Sequence, residues 1–158
     1  MQPDNSDFQW DLPTPFCQAL IVEEKDIDGL GHTNNSVYVN WCQQVGWAHS
    51  VALGLNLDHY RELDAAMVIR HAEYDYIGAT YLGEPCIMGT WLTACDNRLT
   101  MERCFQLVRH RDGHTLLRAK WQLVSIKLSN GRARRMPEEF THCYGAAVIP
   151  SPGISLAK

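Results

Sequence analysis

A chain of 158 residues, 46% hydrophobic and 20% charged, has the size of one domain and enough apolar content for a packed core. Its formal net charge of −4 excludes the broadly basic footprint of a nucleic-acid-binding domain, though not a local basic patch against one phosphorylated ligand. No window approaches the ~18 apolar residues of a membrane span. The opening stretch MQPDNSDFQWDLPTPF has neither the basic nor the apolar region of a signal peptide.

Residues 1–14, polar and carrying two prolines, are expected to form an arm with little structure of its own. FCQALIVEEK (16–25) reads as a strand, and DIDGLGHTNN (26–35) as a loop by composition. From Ser36 the texture changes. Val37, Trp41, Val45, Ala48, Ala52 and Leu55 recur every three or four residues and mark one face of a helix. Few charges lie in this stretch, so the helix is expected to be covered on most sides. Asn34 or Asn35 is its N-cap and Gly54 its stop, while Gly46 marks a close approach of another backbone. A short second helix is expected over LDHYRELD (57–64).

Beyond Ala65 the pattern is β. Strands are expected over 66–77, 84–95, 99–110 and 115–128, separated by GATYLG, DN, RDGH and SNGR. Connections this short predict antiparallel neighbours, and Asp-Gly in RDGH is a hairpin signal. PEEF (137–140) opens a short helix with Pro137 at its first position. Residues 149–158 read as a loose tail. The order predicts an α+β domain spanning 1–158: a curved, five-stranded antiparallel sheet wrapped around one long helix. The six cysteines are irregularly spaced, without CxxC, and mostly within apolar runs. They read as free thiols of a cytoplasmic protein.

The chemistry concentrates in DIDGLGHTNNSVYVNW (26–41). A loop that ends at a helix N-terminus gathers unpaired N–H groups and the positive end of the helix dipole. Such a place stabilises a carbonyl oxygen as it becomes negative. A carboxylate slightly earlier, Asp28, can face the carbonyl carbon, and Gly29 and Gly31 let the backbone turn and leave room for a ligand. The set fits acyl transfer, with Asp28 as base or nucleophile.

Asp26, Asp28, Gly31, His32, Asn34, Asn35 and Tyr38 form D-x-D-x-x-G-H-x-N-N-x-x-Y. This pattern resembles the hotdog-fold thioesterases of the 4-hydroxybenzoyl-CoA and acyl-CoA thioesterase type, and the related acyl-ACP thioesterases. The order of elements across 16–128 matches too, and SNGRARRMPEEF looks like the family's last strand end and short helix. The resemblance implies catalysis by Asp28, with the Asn35 N–H polarising the thioester carbonyl and His32 in the active-site network. Gly31, Asn34 and Tyr38 would shape the loop and the substrate site. It implies a homodimer or homotetramer with active sites shared between subunits, acyl-CoA as substrate, and no cofactor beyond the CoA that the substrate carries. Some relatives have Tyr or His seven residues after the catalytic aspartate, where this chain has Asn35. Others use a glutamate on the long helix, and residues 36–54 contain no acidic residue.

Each residue also has a plainer explanation. Asp28 alone is a turn or capping residue; Asp26 reads as structural; His32 either fixes the loop or carries a proton. Asn34 and Asn35 are most simply caps. His110 and His114 span a hairpin turn with no third ligand, so no metal is expected. Cys42 reads as core, and Trp41, Trp47, Trp91 and Trp121 as core or partly acyl pocket. Arg132, Arg134 and Arg135, with Arg98, are either solvated loop charges or contacts for the CoA phosphates. The predicted activity is acyl-CoA hydrolysis. The alternatives are an acyl-ACP thioesterase and a non-catalytic acyl-CoA-binding protein of the same fold.

Overall fold

The computed structural model describes residues 7–150. Its strands are β1 (Phe16–Ile21), β2 (Ala66–Tyr76), β3 (Pro85–Cys95), β4 (Thr100–Arg109) and β5 (Thr115–Ile126). Its α-helices are α1 (Asn35–Ala52), α2 (Leu57–Leu63) and α3 (Glu138–Cys143). The five strands form one open antiparallel sheet in the order β1-β3-β4-β5-β2. Phe16 is opposite Thr90 and Ile21 opposite Pro85 in the β1–β3 register.

The first strand is shorter than its apolar run suggests. Asp26 folds back so that its carboxylate accepts from the Glu23 N–H at 2.9 Å, while the Asp26 N–H donates to the Glu23 carbonyl at 3.0 Å. This closes a 3-10 turn over Glu24–Asp26 and ends β1. A second difference concerns β2 and β3, which the short GATYLG connection predicts to be neighbours. They are not: β2 lies at the sheet edge beside β5. The connection makes its bonds elsewhere. The Ile77 and Gly78 N–H groups donate to the Leu116 carbonyl, and the Gly83 N–H donates to that of Val22. The hairpins β3–β4 and β4–β5 match the expectation. In RDGH only Gly113 takes a positive φ, +72°.

Two compact units divide the chain. The first takes the residues up to Gly46 with Tyr74–Thr90 and Phe105–Ala119; the second takes Trp47–Glu73, Trp91–Cys104 and the residues from Lys120 on. In the first, Cys17, Ile87 and Val108 are buried, with Phe8 and Trp10 packed against them. The described part of the N-terminal arm is therefore docked rather than loose. The Asp11 carboxylate accepts from Arg118 Nε and Nη2 at 2.7 and 3.0 Å, and buried Gln106 bonds the Asp11 N–H and the Gln9 carbonyl. In the second unit the rings of Trp47, Tyr60, Phe140 and Tyr144 cluster, with centroids 4.9–5.6 Å apart along that series.

Along α1, Trp41 and Val45 are buried as the periodicity predicts, together with Tyr38, Cys42 and Ser50. Ala52 is exposed instead, as are Asn40, Gln43 and Gln44, so one side of the helix is not covered within the chain. Trp47, read as core or partly acyl pocket, is 38% exposed on that open side, with its ring against Tyr60. Pro137 caps α3 from just outside rather than opening its first turn. All six cysteines are free. Burial pushes the Cys17 and Cys86 thiols up to about 12 and raises that of Cys42 further, which leaves the α1 thiol inert as a nucleophile. Of the expected tail, residues 151–158 lie outside the described residues.

Candidate active site

The loop between β1 and α1 is built by its own polar side chains. The Gly31 N–H donates to the Asp28 carbonyl at 3.0 Å, closing a turn that puts Gly31 at φ +82°, where a side chain would be strained. The Asp28 N–H donates to the His32 carbonyl at 3.1 Å, and Ile27 and Thr33 form an antiparallel bridge. Asp26 is buried and spends its carboxylate on the preceding turn, and its carbonyl accepts from the Asn34 N–H at 2.9 Å. It is a structural residue, as its position suggests.

Asp28 is half-buried at the loop tip. Its Oδ1 accepts from the Leu30 N–H at 2.9 Å and its Oδ2 from Asn34 Nδ2 at 3.3 Å. The other end of the same Asn34 amide, Oδ1, accepts from the Ser36 N–H at 2.9 Å and the Ser36 hydroxyl at 2.7 Å. Asn34 is thus the N-cap of α1 and also the link between that helix start and the Asp28 carboxylate. Asn35 occupies the first helical position, where no carbonyl of the helix can reach its N–H. His32 is half-buried, with its ring edge-on to Tyr81 at 6.3 Å.

Tyr38 is placed differently from a loop-lining residue. It is buried, stacked on Tyr76, and its hydroxyl donates to the Gly78 carbonyl at 3.1 Å while lying 3.0 Å from the Thr80 hydroxyl. Burial raises its phenol above the ordinary value. Thr80 also donates to the Thr33 hydroxyl at 2.6 Å, and its carbonyl accepts from the Thr33 N–H at 2.9 Å. Sequence reasoning missed Thr33 and Thr80. Nothing in their local pattern distinguishes them from turn residues.

Asp28, Gly31, His32, Asn34, Asn35 and Tyr38 all fall in the first unit, and the four arginines in the second. Arg98, Arg132 and Arg135 are exposed. Arg134 donates to the Leu63 carbonyl at 3.1 Å and the Arg135 carbonyl at 3.1 Å, so it ties its loop to the end of α2. The second unit also holds a buried polar group that the sequence did not signal. Arg103, 2% exposed, lies 2.9 Å from His49 Nδ1, and the Tyr144 hydroxyl bonds Ser50 and Tyr60. Burial, and then the Arg103 charge, push His49 down to about 4, so its imidazole is neutral. Among the described residues no group of His, Cys, Asp or Glu is arranged to hold a metal ion.

The family model of the thioesterase-like superfamily matches residues 22–143, a span that contains the loop, α1 and the strands β2 to β5. The chain belongs to the thioesterase-like superfamily. Its hotdog fold is shared with a 1,4-dihydroxy-2-naphthoyl-CoA thioesterase from Synechocystis, at 17% identity and a TM-score of 0.76 over 87% of this chain and all of that one. A hypothetical protein of Staphylococcus aureus, solved in complex with CoA, matches with 18% identity and a TM-score of 0.77 over 92% of this chain and 94% of that one. A 12:0-ACP thioesterase from Umbellularia californica matches with 18% identity and a TM-score of 0.76 over 90% of this chain and 58% of that longer one. No curated protein matches the sequence significantly. No helix among the described residues is long and apolar enough to cross a membrane.

Proposed function

We propose that this member of the thioesterase-like superfamily hydrolyses an acyl-CoA thioester to a carboxylic acid and CoA. One observation carries the assignment of the site: a single asparagine, Asn34, bonds the Asp28 carboxylate with one end of its amide and the first turn of α1 with the other. A carboxylate and a helix N-terminus are thereby held in one fixed relation. The thioester carbonyl oxygen takes the Asn35 N–H, and the dipole of the 18-residue helix favours the charge that develops on it. An oxyanion donor of this kind contributes about 3 kcal/mol to the transition state. Asp28 either removes a proton from the attacking water or attacks the carbonyl carbon itself to form a mixed anhydride that water then opens. The thiolate of CoA is a good leaving group, so His32 has only to orient the loop or to return a proton.

The CoA phosphates are assigned to exposed Arg98, Arg132 and Arg135, because Arg134 is held by carbonyls. The assembly is a homodimer or homotetramer, supported by the uncovered side of α1 and by exposed Val51, Ile69 and Tyr76. Light scattering across a dilution series tests that point, and a monomer at all concentrations would remove it.

An acyl-CoA panel is the direct test of activity, followed by ultraviolet loss of the thioester because six protein thiols would consume a thiol reagent. Asp28→Asn should keep its fold and lose at least about a hundredfold in kcat/KM. Single turnover in heavy-oxygen water separates the two routes, since label in Asp28 itself marks direct attack. The likeness to an ACP thioesterase favours a second carrier, so acyl-ACP belongs in the same panel. Binding of acyl-CoA without turnover by the native protein would instead leave a binding module.

A further inference from the structure

Building on the acyl transfer reading of the loop, we propose that Thr80, on the β2–β3 connection, is a positioning residue for Asp28. Thr80 is fully buried and lies 47 positions from the loop it touches. Its hydroxyl sits between two others, donating to Thr33 Oγ1 at 2.6 Å and lying 3.0 Å from the Tyr38 hydroxyl. Thr33 immediately precedes Asn34, the residue that bonds Asp28 and caps α1. Tyr38 stands on the first turn of the same helix. One side chain therefore bonds the last residue before the cap and lies against the first turn after it.

The connection is itself fixed from the other side. The Gly78 N–H donates to the Leu116 carbonyl at 3.0 Å, and a methyl group added at Gly78 would meet Leu116 Cδ2 at 2.9 Å. Arg109 Nη2 donates to the Ala79 carbonyl at 3.0 Å, while the same guanidinium pairs with Glu84 at 3.2 Å and Asp112 at 3.1 Å. Thr80 thus projects from a braced segment, and its branched Cβ restricts the rotamer that aims the hydroxyl. Removing the hydroxyl leaves the surrounding fold most of its bonds. Thr33 Oγ1 still reaches the Thr80 carbonyl at 3.3 Å, the Thr33 N–H keeps that same carbonyl, and Tyr38 keeps the Gly78 carbonyl. What is lost is the tie between loop and helix start, and a small displacement of a catalytic group is costly in rate.

The test compares Thr80→Val, an isosteric change, with Thr80→Ser, which restores the hydroxyl. On the acyl-CoA that the native enzyme hydrolyses best, Thr80→Val should lower kcat at least about tenfold with KM held within about twofold, and Thr80→Ser should recover most of the rate. Hydrogen exchange gives a readout apart from turnover: the Leu30 and Ser36 amides, bonded to Asp28 and Asn34, should exchange faster in Thr80→Val and normally in Thr80→Ser. Unchanged kcat in a folded Thr80→Val, an equal loss in Thr80→Ser, a rise in KM alone, or unchanged exchange would each overturn the proposal. If Thr80→Val fails to fold, Thr33→Val breaks the same bond from its other end and is judged by the same outcomes. Failure of the thioesterase reading looks different: native protein without turnover, or Asp28→Asn as active as native, while exchange at the loop still responds to Thr80→Val.

Discussion

At the scale of single residues, Asn34 concentrates the most consequence. Replacing it by alanine removes a helix cap, which costs about 1 kcal/mol of stability. It also releases the Asp28 Oδ2, so the rate should fall by more than the loss of stability explains. Thermal unfolding and kcat measured on the same Asn34→Ala protein check both; a full rate with a lowered melting temperature would reduce Asn34 to a cap. Arg132→Ala and Arg135→Ala address the phosphate assignment. They should raise KM for acyl-CoA severalfold and leave kcat near native, with the effect shrinking as salt is added. Arg134→Ala should act on stability instead, since its guanidinium holds the Leu63 carbonyl. Asp28 and Asn34 of the loop were legible because their side-chain bonds are local in sequence, within six positions. Thr80 was not, because its partners are 42 and 47 positions away.

At the scale of elements, the N-terminal arm departs most from its sequence. Its polar composition conceals Phe8 and Trp10, which cover buried Cys17, Ile87 and Val108. Gly89 on β3 makes the docking possible, because a Cβ there would meet the Trp10 ring at 2.8 Å and Pro15 at 3.1 Å. Gly89→Ala should therefore push the arm outward. Trp10→Ala should cost about 2 kcal/mol, the loss of a half-buried apolar side chain. Denaturant unfolding of each variant, with limited proteolysis of the arm, measures the effect; native stability in both would show that the arm contributes nothing. The strand bounds themselves were readable within a few residues, because alternating burial and turn residues fix them locally.

At the scale of the whole molecule, His49 and Asp96 are among the groups whose lowered values should make stability depend on pH. His49 is held at about 4 in the fold against 6.5 unperturbed, so its unfolded form takes up a proton first. The stability from its neutral form is complete above pH 6.5 and is lost as pH falls towards 4. Burial works against ionisation of Asp96, but hydrogen bonds from the Thr100, Arg98 and Leu99 N–H groups and the Thr100 hydroxyl outweigh it and hold the carboxyl at about 2. Its contribution is present above 3.8 and lost below that towards 2. Melting temperatures between pH 7 and 4 should fall for the native protein and fall less for His49→Gln; parallel curves would show that His49 does not carry the dependence.

The sequence by itself determined the α+β class, the long helix, the approximate extent of the last four strands and the loop that gathers Asp28, His32, Asn34 and Asn35. Each depends on period, turn chemistry or neighbours a few residues apart. Only the tertiary structure decided that β2 lies beside β5 rather than β3, that the arm is docked, and that Thr80 bonds Thr33 on one side of the α1 cap and lies against Tyr38 on the other. The reason is common to all three. A short connection limits how far the chain can travel but not which partners satisfy its N–H and carbonyl groups. That choice is made by residues distant in sequence, once packing has excluded water from the buried polar groups.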